Sequence, residues 1–200
     1  ARFTVLVGQA GSGKTTLLAA LASISEVKKG NVLFLAPTGK AKIRMEEMAM
    51  KEGITAKTIA QFLHPSRRFR GSTQTYHLND SNKKESAYQT VIIDESSMLT
   101  EMMLAATLQN LKGVKRLILV GDYRQLPPIG EGRPFFDIVN FLKPEANQEA
   151  PQSYVELTTI SRQAANDGET RLDKAFAGVF SGNKVPANFE DVFDQVISNT

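Results

Sequence analysis

No cysteine occurs among the 200 residues, which removes disulfides and thiolate metal sites and fits a cytoplasmic setting. Two histidines are too few for a histidine-rich metal centre. No run of apolar residues approaches the roughly 18 that a bilayer-spanning helix needs, so no membrane is expected as a partner. The opening Ala1-Arg2-Phe3-Thr4 has the build of neither a signal nor a transit peptide, and reads as a chain cut just before a strand. Charge of one sign is scarce as well. The net excess is +3, a mild basic bias that permits a polyanionic partner without identifying one. It is unevenly spread. Between Pro65 and Tyr88, Arg67, Arg68, Arg70, Lys83 and Lys84 face only Asp80 and Glu85, an excess equal to that of the whole chain.

What is present suits a globular domain: an apolar share of 42% supports a core, and 22% charged residues argue against disorder. The apolar run Phe3–Val7 predicts a buried strand, and Leu17, Leu21 and Ile24 after Lys14 predict a helix. Further strands are expected at Asn31–Ala36, Thr90–Asp94, Arg116–Gly121 and Tyr154–Thr158, with another around Thr73–Leu78. Helices are expected at Lys40–Lys51, Ala56–Leu63, from a Thr100 cap through Leu111, at Pro134–Leu142 and at Arg171–Phe180. The methionines at 45, 48, 50, 98, 102 and 103 read as core fillers. Residues 143–153 read as a linker. No internal repeat occurs, and strands alternating with helices argue for a parallel sheet in an α/β fold.

Three segments carry chemistry. Gly8-Gln9-Ala10-Gly11-Ser12-Gly13-Lys14-Thr15 fits the phosphate-cradling pattern G-x-x-x-x-G-K-[ST] between a strand and a helix. Glycines let successive N–H groups turn onto phosphate oxygens, the helix adds its positive end, Lys14 reaches the β- and γ-phosphates, and the Thr15 hydroxyl suits Mg²⁺. Val91-Ile92-Ile93-Asp94-Glu95 is an apolar strand ending in two carboxylates. Asp94 suits Mg²⁺, directly or through water, and Glu95 suits the activation of a water that attacks the γ-phosphate. Apolar strands ending in Asp-Glu are common, and it is the place about 80 residues after Thr15 that favours this reading. In Gly121-Asp122-Tyr123-Arg124-Gln125-Leu126-Pro127-Pro128, after the fourth strand, Gln125 is either a γ-phosphate sensor or part of a plain polar turn.

With Leu35-Ala36-Pro37-Thr38-Gly39-Lys40-Ala41 and Asp94-Glu95-Ser96-Ser97-Met98 added, the set resembles motifs I, Ia, II and III of superfamily 1 helicases of the RecD/TraI type, in the right order over about residues 3–180. The resemblance implies a RecA-like P-loop NTPase fold, a mainly parallel sheet flanked by helices with a small basic hairpin inserted at 65–88. It implies ATP and Mg²⁺ as cofactors and Gln125 and Arg162 as residues that touch the γ-phosphate. It implies that Pro37, Thr38 and Lys40, and the segment of Thr58, meet the backbone of single-stranded DNA, with RNA as the other polymer. Where the family's Thr-Ile-His stands, this chain has Thr58-Ile59-Ala60, and His64 reads as a helix-end residue. Arg67, Arg68 and Arg70, with Phe69 and Tyr76, would bind a strand by charge and stacking.

The expected activity is that of a 5′–3′ DNA helicase motor. The alternatives are a nucleotide or metabolite kinase and a nucleic-acid-binding module without turnover. The expected domains are a first RecA-like ATPase domain at 1–180 and a tail, or the start of a second domain, at 181–200. The family's adenine-reading motif and motifs V and VI have no match, so the sequence reads as a fragment whose partner is a second RecA-like domain of the same parent.

Overall fold

The computed structural model describes residues 2–9, 11–24, 27, 30–49, 54–79, 84–144 and 153–157. Ala10, Met50, Asp80, Lys83, Thr158, Arg162, the expected helix 171–180, the 181–200 segment and positions 145–152 of the expected linker lie outside them. So does the side chain of Met48.

Six strands form one parallel sheet: β1 (Arg2–Gly8), β2 (Val32–Ala36), β3 (Thr55–Thr58), β6 (Thr90–Ile93), β7 (Arg116–Gly121) and β8 (Tyr154–Leu157), in the order β3-β2-β6-β7-β1-β8. Strands β2 and β6 are buried at every position, as continuous apolar runs must be when helices cover both faces. Alternation along the strands divides the core in two. Leu6, Phe34, Ile92, Ile118 and Val120 pack with Leu17 and Leu21 of α1 (Lys14–Ser23) and Met45 of α2 (Gly39–Ala49). Val5, Val7, Leu35, Ile93 and Leu119 pack on the other side. Their partners are Phe62 of α3 (Ile59–Leu63), Met103 and Leu104 of α4 (Glu101–Asn110), and Phe135 and Val139 of α5 (Pro134–Leu142). Among the described residues no helix is long and apolar enough to cross a membrane.

Most expected elements are present, and Thr100 caps α4 by accepting from the Met103 amide at 3.2 Å. The segment expected as one helix over Ala56–Leu63 is instead strand and helix. Thr55–Thr58 extends the sheet beside β2, and helix begins only after Thr58. The reason is local. The Thr58 hydroxyl accepts from the Gln61 amide (3.1 Å) and the Gln61 side chain accepts from the Thr58 amide (3.0 Å), a reciprocal cap that starts a helix there and leaves the preceding residues extended. The methionine expectation holds for Met45 and Met103, which are buried, and fails for Met98 and Met102, which are exposed at 43% and 44%.

The basic insertion folds as an antiparallel hairpin, β4 (Phe69–Arg70) with β5 (Thr75–Tyr76), so the single strand expected at Thr73–Leu78 shrinks to two residues and gains a partner. Phe69 and Tyr76 meet as a tilted ring pair with centroids 5.0 Å apart and pack against the core. Arg68 corrects an expectation: it does not face a strand of nucleic acid but is completely buried. Its Nε donates to Gln109 Oε1 (2.9 Å) and a terminal nitrogen donates to Asn110 Oδ1 (3.2 Å), both at the end of α4. A guanidinium sunk among its partners cannot reach a phosphate. Arg67 and Arg70 remain exposed.

Arg68→Ala strips donors from the side-chain carbonyls of Gln109 and Asn110 and is expected to destabilise the fold by about 2–4 kcal/mol, whereas Arg70→Ala stays within about 0.5 kcal/mol. Urea denaturation of both variants checks this, and equal stability would remove Arg68 from its anchoring role.

Candidate nucleotide site

Side chains and turns with chemistry gather at the carboxyl ends of β1, β7 and β6, the edge where open parallel sheets bind ligands. Register places them there. Val7 pairs with Gly121, and Ile93 with Leu119, so the chain leaves Gly8, Gly121 and Ile93 at neighbouring points of one rim.

The first turn, after β1, requires glycine. Gly11 and Gly13 have φ of 84° and 85°, the left-handed region, and Gly13 caps α1. At Gly8 a Cβ would collide with the Ser12 hydroxyl and come within 3.2 Å of Leu157 Cβ. The Lys14 ammonium donates across the loop to the carbonyls of Gly8 (2.6 Å) and Gln9 (3.0 Å). Thr15 is exposed on the first turn of α1, which carries no acidic residue and so leaves its positive end open to an anion. The Ser12 hydroxyl is buried with no hydrogen-bond partner among the described residues. Such an orphan suits the rim of a phosphate cradle.

The second turn follows β6. The Asp94 amide donates to Leu35 O (2.9 Å), and Asp94 Oδ1 accepts from the Glu95 amide (2.9 Å). Burial raises the Asp94 pKa above the ordinary aspartate range. The Glu95 amide opposes this, the Glu95 charge adds to it, and Lys14 and Arg44 lower it. A carboxylate denied water in this way is suited to a cation. Among the described residues no cluster of three or more His, Asp or Glu side chains could hold a metal alone, so Mg²⁺ at Asp94 and Thr15 would need the nucleotide's own oxygens. Glu95 has φ 52°, a left-handed backbone in a residue other than glycine. Such strain costs about 1 kcal/mol or more and persists where the surroundings dictate it, often at working sites. Here the Met98 amide donates to Glu95 O (3.0 Å), and the buried Ser96 hydroxyl donates to Ile93 O (2.8 Å).

The third turn follows β7. A Cβ on Gly121 would meet the Phe135 ring at 2.9 Å and the Ser97 amide at 3.1 Å, so glycine is what lets this strand end pass the turn behind Glu95. Buried Asp122 organises the loop: its Oδ1 accepts from the Arg124 amide (3.1 Å) and its carbonyl from the Gln125 amide (3.0 Å). Gln125 is exposed.

Of the residues assigned to nucleic acid, Pro37, Thr38, Lys40 and Thr58 come together at the ends of β2 and β3, where Ala36 pairs with Thr58. Lys40 is exposed, but the Thr38 hydroxyl accepts from the Ala41 amide (3.3 Å), and Thr58 is occupied by its cap. Arg70 lies on hairpin strand β4, and Arg67 just before it. Three residues escaped the sequence reading. Asp122 stands inside a quoted motif, and Arg44 follows Lys40 by one helical turn, so both left a signal. Glu156 left none, because its partner lies 32 residues away.

The sequence matches the family described as AAA domain over residues 1–184. Among curated relatives, an uncharacterised protein of Methanocaldococcus jannaschii is 34% identical over 89% of this chain and 15% of its own length. The ATP-dependent RecD2 DNA helicase of Deinococcus radiodurans is 34% identical over 83% of this chain and 20% of its own. The chain thus spans a fifth or less of the length of these relatives. Among solved structures, Bacteroides Pif1 bound to ssDNA matches with a TM-score of 0.50 and 21% identity, covering 94% of this chain and 45% of that one, a likeness of fold.

A carboxyl whose pKa rises on folding holds its proton more tightly in the folded chain. Its ionisation therefore costs nothing below the ordinary aspartate range and the full penalty above the raised value. Asp94→Asn is expected to raise the melting temperature of the nucleotide-free protein at pH 7 and to leave it unchanged at about pH 3. No gain at pH 7 would show that Asp94 is not held against its charge.

Proposed function

We propose, since the chain belongs to the AAA-domain family and is of the RecD/TraI type, that it is the ATP-binding and ATP-hydrolysing motor lobe of a 5′–3′ helicase on single-stranded DNA. The observation that carries this is the meeting of the Gly8–Thr15 loop, Asp94-Glu95 and the Asp122–Gln125 turn on three adjacent strands. The names of its relatives, an ATP-dependent DNA helicase and a Pif1 bound to ssDNA, supply the substrate class.

When bound, ATP supplies the phosphoanhydride and Mg²⁺ neutralises its oxygens. Lys14 exchanges the Gly8 and Gln9 carbonyls for phosphate oxygens. The amides of residues 13–15 and the open end of α1 would face the same anion, that of Ser12 being taken by the Gln9 carbonyl (3.1 Å). Thr15 and Asp94 would hold the metal, which would supply Asp94 with the counter-charge that its burial lacks. Glu95 takes the proton of the attacking water, a role that separates a motor from a kinase, whose site must seat an acceptor instead. Gln125 reads the γ-phosphate. Arg162, by resemblance, adds a guanidinium as charge develops, and a second RecA-like domain would close the cleft. Pro37, Thr38 and Lys40 offer the nearest strand-binding surface on the same rim, and the hairpin arginines Arg67 and Arg70 a second one.

Lys14→Ala is expected to weaken ATP binding at least tenfold, about 1.4 kcal/mol. Glu95→Gln keeps ATP and Mg²⁺ bound while single-strand-stimulated turnover falls by roughly 10². Turnover that survives Glu95→Gln would remove the proposed base.

Binding to single-stranded DNA is expected to fall steeply with salt, since phosphate contacts release counterions. Reversing Arg67 and Arg70 to Glu should weaken it further and flatten the salt slope. A slope that ignores both reversals would place the strand away from the hairpin.

A further inference from the structure

The loop that carries Gln125 is held by more than its own turn. Arg124 NH2 donates to Glu156 Oε1 at 3.1 Å, an ion pair between residues 32 apart in sequence. The two strands it joins, β7 and β8, are not neighbours, for β1 runs between them. Val7 pairs with Gly121 on one side and with Glu156 on the other. The pair therefore bridges over the end of β1, where the phosphate loop begins. Glu156 is itself set in place, since its second oxygen accepts from the hydroxyl of buried Tyr154 at 2.8 Å. Burial, and then Glu156 itself, hold the Tyr154 phenol well above its ordinary range, so it stays a donor at neutral pH. From the other side, the Tyr123 hydroxyl accepts from Lys143 Nζ, at the end of α5, and from Arg124, both at 3.2 Å. The next residue of β8, Leu157, is one of the two that a Cβ on Gly8 would touch, the other being Ser12. One strand end thus abuts the phosphate loop and holds the neighbouring loop by a charge.

We propose that Glu156 is a positioning residue that, through Arg124, fixes Gln125 relative to the phosphate loop, so that the terminal phosphate of a nucleotide is read at a set distance from the phosphates Lys14 holds. The inference rests on the reading of Gln125 as the γ-phosphate sensor. A half-exposed ion pair contributes little to folding. Its effect lies in removing freedom from the stretch around Gln125, which the Asp122 turn and Tyr123 also tie.

The test compares the affinities of the chain for ADP and for the slowly hydrolysed analogue ATPγS by calorimetry. Glu156→Ala is expected to lower the preference for ATPγS over ADP by about five- to tenfold while ADP affinity stays put, the Tyr154 hydroxyl it leaves unpaired lowering the melting temperature without changing that ratio. Arg124→Ala, which also removes the Tyr123 contact, should lower it at least as far, and the double variant should be no worse than Arg124→Ala, because the Glu156 link is already gone there. Gln125→Ala should lower the preference at least as far. If Gln125→Ala lowers it and Glu156→Ala does not, the sensor stands and the positioning role is overturned. Equal losses of ADP and ATPγS affinity in Glu156→Ala would also overturn it, making Glu156 a prop of the phosphate loop. If Gln125→Ala has no effect, the sensor reading fails and takes this inference with it.

Discussion

A parallel sheet with apolar side chains on both faces has no surface left for chemistry except its ends, and the working parts of this chain follow from that constraint. The central strands are apolar throughout because helices cover them front and back. Every connection must then return over a face, and every strand finishes at the same rim. Three short turns meet there without being neighbours in sequence. Glycine is needed where they crowd, Gly8 against Ser12 and Leu157, and Gly121 against Phe135 and Ser97.

The rim is held ready for charge. Lys14 is hydrogen-bonded to the carbonyls of its own loop, Asp94 is buried against its own ionisation, and the Ser12 hydroxyl is sealed in without a partner among the described residues. The burial of Asp94 and of the Ser12 hydroxyl costs the fold something, and on the proposed reading a bound anion with its cation would relieve it. This is preorganisation: groups are fixed before the ligand arrives, and their desolvation is met by folding.

The hairpin insertion shows a different use of charge. Arg68 looks, beside Arg67 and Arg70, like one of three equivalent surface cations. In the fold it is the peg that fastens the hairpin to the end of α4, with the Asn79 amide sharing its Gln109 acceptor. Since α4 begins just beyond the Asp94-Glu95 turn, the hairpin is joined through one helix to the strand end that carries the carboxylates.

The local signals were legible from residues alone. The glycine spacing of 8–15, the apolar strand closed by Asp94-Glu95 and the Thr100 cap act over a few residues, so sequence by itself determined the P-loop, the carboxylate pair and the α/β alternation. It misread Ala56–Leu63 because a cap at Thr58 and strand pairing with β2 together outweigh a short helical pattern. It misplaced Arg68, Met98 and Met102 because burial depends on what packs against a side chain, not on its type. Only the tertiary structure decided that β7 lies between β6 and β1, which puts the Asp122–Gln125 turn after the strand that separates those leading to the phosphate loop and the carboxylates. Only it placed Glu156 across β1 from Arg124. Strand order and ion pairs over 32 residues are set by long-range packing, and no local periodicity records them.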